Sequence, residues 1–294
     1  MLNQVRIAAI AVDTQPGKIA ENLQKISVWT KKAAAAGAQL VLFQELSLSG
    51  FIPNHPTGDH DKWLREALQI GRQIAEPLPG PAVNQLAKIA AEQKVMISAG
   101  LFEDAGNVLY NTQVLVDGTG LLGSWRKMHV PMFEMPFYSG GGIPNVVETP
   151  LGRIGVNICF DALMPESTRL LAVKNVEIVL FPFAADPPPV SPQGWADWAG
   201  IPLKARCAEN GVYGIACNYV GKVTCASVSQ FFPGGGMMVD PRGQNIANWT
   251  AASGEPGMLI GDLSADVLRE ARAEPEYLYR FRRPELYGSL ASIK

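Results

Sequence analysis

The segment RIGVNICFDALMPE (153–166) places a cysteine, Cys159, where an apolar strand pattern gives way to a sharp turn and a helix start. Pro165 suits a first helical position and Glu166 a first turn. A thiol on such a turn is held out from the sheet edge, beside backbone N–H groups that can bind an oxyanion. Two ionisable residues share that placement: Glu45 comes just after the apolar run LVLF (40–43), and Lys127 just after LLGSWR (121–126). All three sit at or just past the carboxyl end of a core strand, where α/β folds build sites. A thiol, a carboxylate and an ammonium suffice for acyl transfer. Glu45 can take the thiol proton as Cys159 attacks a carbonyl carbon, pass it to a departing amine, then activate water on the thioester. Lys127 and the Phe160 N–H can hold the oxyanion. Glu45 lies between apolar stretches, where a carboxylate needs a cation, and Lys127 is a candidate. The bland alternatives are an inert core cysteine and a structural Glu–Lys pair.

Other chemistries fit less well. The histidines are His55, His60 and His129, with no H-x-x-x-H or Cys/His cluster. A zinc site is therefore not expected, no cofactor is implied, and a Cys–His protease fits poorly. Cys207, Cys217 and Cys225 lack the turn setting and read as core. His129 is expected to hydrogen-bond behind the site, Asp161 and Glu166 to cap the turn and helix, and Arg169 to pair with one of these carboxylates. Phe160 and Trp195 are expected to line the substrate pocket. Trp195 and Trp198, in ADPPPVSPQGWADW (185–198), would either wall that pocket or pack as core.

Composition bounds the class. Of 294 residues, 47% are hydrophobic and 18% charged, with a formal net charge of −2. That is ordinary for a soluble enzyme. No basic stripe suggests nucleic acid. No stretch reaches the ~18 apolar residues of a membrane span, and the N-terminus reads as a core strand, not a signal peptide. Four cysteines without a C-x-x-C pair point to a reducing, cytoplasmic compartment.

Strand and helix patterns alternate along the whole chain. Strands are expected at 5–12, 40–43, 95–102, 110–117, 121–127, 153–159, 176–183, 212–218, 236–240 and 257–263. Helices are expected at 18–36, 60–75, 80–93, 165–174 and 194–210. With no repeat and no low-complexity linker, the chain reads as one α/β domain spanning 1–294.

FQELSLSGF, WRKMHVP and NICFDALMPESTRLLAVKNVEIVLFP resemble, in order and spacing, the three catalytic motifs of the nitrilase superfamily of carbon–nitrogen hydrolases. RCAENGVYGIACNYVG, MMVDPRG and RRPELYGSL also resemble family segments, so the similarity runs from about residue 5 to 290. The resemblance implies a four-layer α-β-β-α sandwich, usually dimerised or further assembled, with 264–294 as an interface or extension. It implies Glu45 as general base, Lys127 as oxyanion stabiliser, Cys159 as nucleophile and Glu134 as a second glutamate near the lysine. The activity it implies is an amidase, and the apolar turn Phe160-Asp161-Ala162-Leu163-Met164, with Trp195 and Trp198 nearby, points to a small, apolar-acyl amide as its substrate. A nitrilase is an alternative, although nitrilases commonly have Trp-Glu after the cysteine and this chain has Phe160-Asp161. An N-carbamoyl amine or amino-acid hydrolase is another; members acting on acids often carry an arginine where this chain has Ala162, Leu163 and Met164. The remote alternative is an inactive binding protein on the same fold.

Overall fold

The computed structural model describes residues 3–55, 58–226 and 228–292. The run LVLF forms β2 (Leu40–Phe43), buried at every position as a strand covered on both faces must be. It pairs in parallel with β1 (Gln4–Ala11) and β3 (Met96–Asp104). The antiparallel strands β4 (Leu109–Asp117) and β5 (Gly120–Arg126) extend one edge, and β14 (Gly257–Ser264) the other. A second six-stranded sheet has the same plan. Its parallel centre is β7 (Gly152–Val156), β8 (Ile178–Phe183) and β9 (Tyr213–Asn218). Antiparallel β6 (Val147–Thr149) lies outside β7, and β12 (Gly236–Val239) and β13 (Asn245–Asn248) lie outside β9.

Alternation of side chains along the strands makes the layers. Ile7, Ala9, Leu40 and Leu42 meet Ile154, Ile178, Leu180 and Ile215 between the sheets. Ala8, Ile10, Val41 and Phe43 face outward onto α1 (Ile19–Ala35) and α3 (Pro81–Gln93) through Ile26, Ala33, Val83 and Leu86. On the far side α4 (Pro165–Ala172) and α5 (Pro192–Asn210) cover the second sheet with Leu171, Leu203 and Cys207. The result is the expected α-β-β-α sandwich.

A smaller core sits over one end. It joins α2 (His60–Ile74), the loop after β2 and an antiparallel hairpin of β10 (Val220–Cys225) and β11 (Val228–Pro233) through Phe51, Trp63, Tyr219 and Phe232. The hairpin was not among the expected elements, although Val220–Cys225 alternates buried and exposed along its outer half. Also unexpected are β6 and β13, too short to carry a pattern, and α6 (Ala265–Ala273), capped by the Ser264 hydroxyl. Beyond α6 the chain makes single helical turns along the surface. Arg272 ties this arm to the carbonyls of Gly211 (2.8 Å) and Val176 (2.6 Å), and the Tyr277 hydroxyl to that of Asn210 (2.8 Å). Among the described residues no helix is long and apolar enough to cross a membrane.

Two local features aim the strand ends. After β2, the Ser47 and Ser49 hydroxyls accept the Gly100 and Phe102 N–H groups at 3.2 and 3.0 Å, so the loop holding Glu45 runs along β3. At the exit of β5, the Arg126 guanidinium grips the buried Glu103 carboxylate of β3, which also accepts the Thr112 hydroxyl at 2.6 Å. Gly100 is where the loop comes closest: a Cβ there would lie 2.3 Å from the Leu46 nitrogen and 2.7 Å from Gln113 Oε1. Gly100→Ala is expected to destabilise the fold by about 1–3 kcal/mol, the usual cost of overpacking. Because the strain falls on the residue next to Glu45, activity should drop further than the folded fraction does. Thermal unfolding and turnover measured on the same preparation check this; a variant as active as the parent per folded molecule would contradict it.

Candidate active site

Lys127 follows the last residue of β5 and is fully buried. Its ammonium lies between two carboxylates, 2.8 Å from Glu45 Oε1 and 2.7 Å from Glu134 Oε2. The Asn111 amide of β4 donates to the same Glu45 oxygen at 2.6 Å. The other oxygen, Glu45 Oε2, is buried and takes no hydrogen bond. The thiol of Cys159 is in the electrostatic field of Lys127, Glu45 and Glu134. The four residues Glu45, Lys127, Glu134 and Cys159 are thus brought together. Glu134 enters from the turn at 131–137, where its carbonyl accepts the Phe137 N–H at 2.9 Å.

Cys159 opens a one-turn 3₁₀ helix (Cys159–Leu163) with φ +49°. A left-handed non-glycine residue costs about 1–3 kcal/mol and persists only where its surroundings impose it. Asp161, 1% exposed, supplies the restraint. Its carboxylate accepts the Ile158 N–H (3.1 Å) at the start of the turn, and the Met128 (3.3 Å) and His129 (2.8 Å) N–H groups just past Lys127. One buried side chain therefore joins the Cys159 turn to the lysine segment. The His129 ring completes it, with Nδ1 2.9 Å from Asp161 Oδ1. Asp161 caps as expected, and His129 stands behind the site. Arg169 departs from expectation: instead of pairing with Asp161 or Glu166, its guanidinium lies over the Tyr279 ring and donates to the Glu209 carbonyl.

The electrostatics follow from two carboxylates sharing one cation in a dry site. Burial opposes the Lys127 charge, but Glu134, Glu45 and Cys159 outweigh it and hold the ammonium's pKa well above the ordinary value. Burial pushes Glu134 up to about 7; Lys127 pulls it down, and the like charge of Glu45 pushes it up again. Burial, then Glu45, raises the Cys159 thiol well above its usual range against the pull of Lys127. Cys159 is thus held as a neutral thiol.

A cavity of about 300 Å³ opens over Cys159, lined on its apolar side by Phe133, Phe160, Ala184 and Trp198. Trp195 is corrected here: it is fully buried against Phe183, and a Cβ on Gly235 would lie 2.5 Å from its ring. Trp198, one helical turn on, has the wall position instead. Asn111 was missed, although a polar pair, Asn111-Thr112, entering an apolar strand is a visible signal. Asn54, Asp186 and Gln230 were also missed, and all three line the cavity. All four cysteines are unpaired. Among the described residues no three His, Cys, Asp or Glu side chains are grouped to hold a metal.

The hydrogen bond that the His129 ring makes to Asp161 raises its pKa above 6.5, against a smaller opposing effect of partial burial. A raised histidine adds stability that is full below its unfolded value near 6.5 and is lost as pH rises through the folded value. NMR titration is expected to place the His129 midpoint above 6.5 in the parent and lower in Asp161→Asn. An unchanged midpoint would show that the carboxylate does not charge the ring.

A sequence profile described as carbon-nitrogen hydrolase matches residues 6–273. Deaminated glutathione amidase of Mus musculus is 30% identical over 97% of this chain and 85% of its own. A nitrilase of Pyrococcus abyssi is 28% identical over 96% and 99%. In three dimensions an amidase from Nesterenkonia sp. superposes with a TM-score of 0.77 at 26% identity, covering 97% of this chain and 96% of that one. A mutant of that amidase carries the acetamide moiety of fluoroacetamide covalently added at its active site cysteine. With the profile spanning both sheets and all the strand ends described above, this chain belongs to the carbon–nitrogen hydrolases of the nitrilase superfamily and is a hydrolase of that family.

Proposed function

We propose that this hydrolase is an amidase, releasing ammonia from a small linear amide through a thioester on Cys159. The observation that carries the reading is the buried Lys127 ammonium held between Glu45 and Glu134, beside a neutral thiol at the cavity floor. Glu45 Oε2, with no other partner, takes the thiol proton as sulfur attacks the carbonyl carbon. The oxyanion is held by Lys127 and the Phe160 N–H, one of the first N–H groups of the 3₁₀ turn, which lack intrahelical partners. Glu45 returns the proton to nitrogen and ammonia leaves. Water then attacks the thioester, giving its proton to Glu45, and the acid departs as the thiol is restored. Glu134 positions Lys127 and faces the substrate nitrogen. The reducing cytoplasm suits a free thiol.

For the substrate, the acyl group nearest the carbonyl packs on Phe133, Phe160 and Trp198. Phe160-Asp161 after the nucleophile favours an amide over a nitrile. Among the described residues no lysine or arginine lines the cavity, so a free carboxylate has no counter-charge from them there. We further propose that 264–294 contributes to a homo-oligomer surface. Leu278, Phe281, Leu286 and Leu290 of the arm, and Ile201 of α5 on which it packs, are 60–77% exposed, an apolar patch unusual for a free surface.

Cys159→Ala is expected to abolish turnover, and Glu45→Gln to lower it by about 10²–10⁴-fold. Mass spectrometry after brief iodoacetamide treatment should find the label on Cys159 and not on the buried Cys207 or Cys217. Normal turnover by Cys159→Ala would end the reading. Ammonia release from matched amides and nitriles tests the substrate class, and faster release from the nitriles would make this a nitrilase.

Glu134 gives a test with a definite sign. A carboxyl with a folded-state pKa near 7, against an ordinary 4.5, binds protons more tightly when folded. Stability from this group therefore falls as pH rises between those values. Glu134→Gln lacks the titration, so its stability relative to the parent should improve steadily from about pH 4.5 to 7. Denaturant midpoints across that window that run parallel would refute the assignment.

A further inference from the structure

Side chains alternate across a strand. At the ends of β4 and β5, Tyr110, Thr112 and Arg126 therefore share one face of the sheet, and Asn111 and Lys127 point to the other. The Lys127 N–H continues the ladder, donating to the Asn111 carbonyl at 2.8 Å. On the first face stands Glu103 of β3, paired across the strands with Tyr110 and 4% exposed. Its Oε2 accepts the Thr112 hydroxyl at 2.6 Å and Arg126 Nε at 2.9 Å, and its Oε1 accepts Arg126 Nη2. The guanidinium also lies 3.9 Å over the Tyr110 ring. On the second face Asn111 and Lys127 donate to one and the same oxygen, Glu45 Oε1. The loop that carries Glu45 hangs from the residue before Glu103, through the Phe102 N–H and the Ser49 hydroxyl.

We propose that Glu103 is a positioning residue for the hydrolysis: through Arg126 and Thr112 it sets where Lys127 and Asn111 meet Glu45. The inference rests on the roles proposed above for Glu45 and Lys127, and adds a residue that touches neither. Glu103 is not part of the cavity lining and acts only through the chain. Each group it holds is the neighbour of a site residue: Arg126 precedes Lys127, and Thr112 follows Asn111. Neighbours along a strand are joined by a planar peptide, so Arg126 cannot turn without turning Lys127. A two-point fork between guanidinium and carboxylate fixes direction as well as distance, which a point charge cannot do. Phe102 and Glu103 thus hold the base and the oxyanion cation to one short stretch of β3. That matters for rate, because a misplacement of about 1 Å arising far from the reacting atoms can cost about 10²-fold. A pair that merely braced the sheet would bear on stability and leave the chemical step alone.

The test compares the parent with Arg126→Ala, Thr112→Val and Arg6→Ala, each corrected for its folded fraction. Arg6→Ala is the control: it breaks a fork of the same kind, to Asp262, between β1 and β14 at the other edge of the sheet. Two rates are read: ammonia release from butanamide, and alkylation of Cys159 by iodoacetamide, which needs no amide turnover. Arg126→Ala should lower kcat by about 10–10²-fold and leave KM nearly unchanged, since the loss falls on the transition state. Thr112→Val, which leaves the Arg126 fork in place, should lower kcat by less, and Arg6→Ala not at all. Arg126 is partly exposed, so a small cation can enter the space that Arg126→Ala opens over Tyr110. Methylguanidinium should therefore restore both rates, and methylammonium, which lacks the fork, should not. Parent values of kcat in Arg126→Ala and Thr112→Val overturn the inference, as does an equal loss in Arg6→Ala or equal restoration by the two cations. If Arg126→Ala does not fold, a parent kcat in Thr112→Val overturns it alone. Alkylation that slows in Arg126→Ala and recovers with methylguanidinium, in a protein that releases no ammonia, supports the positioning role and ends the amidase reading.

Discussion

A lysine ammonium without solvent can be kept only if carboxylates replace its water, because breaking a buried pair leaves an uncompensated charge at a cost of about 3–5 kcal/mol. Lys127 has two, Glu45 and Glu134, each within 2.8 Å. Much of the structure can be read as what this arrangement requires. The two acids come from different elements, the loop after β2 and the turn at 131–137, so both must be carried to the end of β5 together. The serine bonds from Ser47 and Ser49 to β3 fix the first. The small core over α2 and the β10–β11 hairpin backs the second, packing Phe137 and Tyr138 next to Glu134. Burial, and after it the like charge of Glu45, makes Glu134 and the thiol both hold protons more tightly than they would in water.

The Cys159 turn is attached to this centre through Asp161. A carboxylate that accepts N–H groups from both Ile158 and His129 cannot relax without moving either Cys159 or the chain beyond Lys127. The left-handed conformation of Cys159 and the position of the lysine are thus one constraint shared by two segments far apart in sequence. Strain at Cys159 is held by polar bonds to a rigid sheet end.

How far this could be read from sequence depended on whether the signal was local. LVLF, VEIVLFPF and the helix stripes announced themselves because fully buried strands and amphipathic helices write their environment into neighbouring residues. The Glu45, Lys127 and Cys159 segments stood out because each sits at a strand end within a recognisable motif. Trp195 was misplaced because two tryptophans one turn apart on α5 look alike in sequence, and only the packing of Phe183 between them decides which is core and which faces the cavity. Asp186 and Gln230 were invisible for a different reason. They come from a proline-rich loop and from the hairpin strand β11, and only the folded chain makes them neighbours.

In the proposed mechanism, a buried, proton-bearing thiol on Cys159 sets the order of chemical events. A preformed thiolate would be one more negative charge among Glu45 and Glu134, and the site is built against that: burial and both acids disfavour it, outweighing Lys127 and the Ala184 backbone N–H. The proton must leave as the carbon–sulfur bond forms, when the developing negative charge passes to the carbonyl oxygen beside the same ammonium. Total charge in the site is then conserved through the step, and Lys127 need not move to meet it. This explains the asymmetry of Glu45. One oxygen is fastened by Lys127 and Asn111 and gives the carboxylate its direction. The other is left without a partner, at the cost of an unpaired buried acceptor, which suits the proposed base: one already bonded to a donor would have to break that bond before it could take a proton.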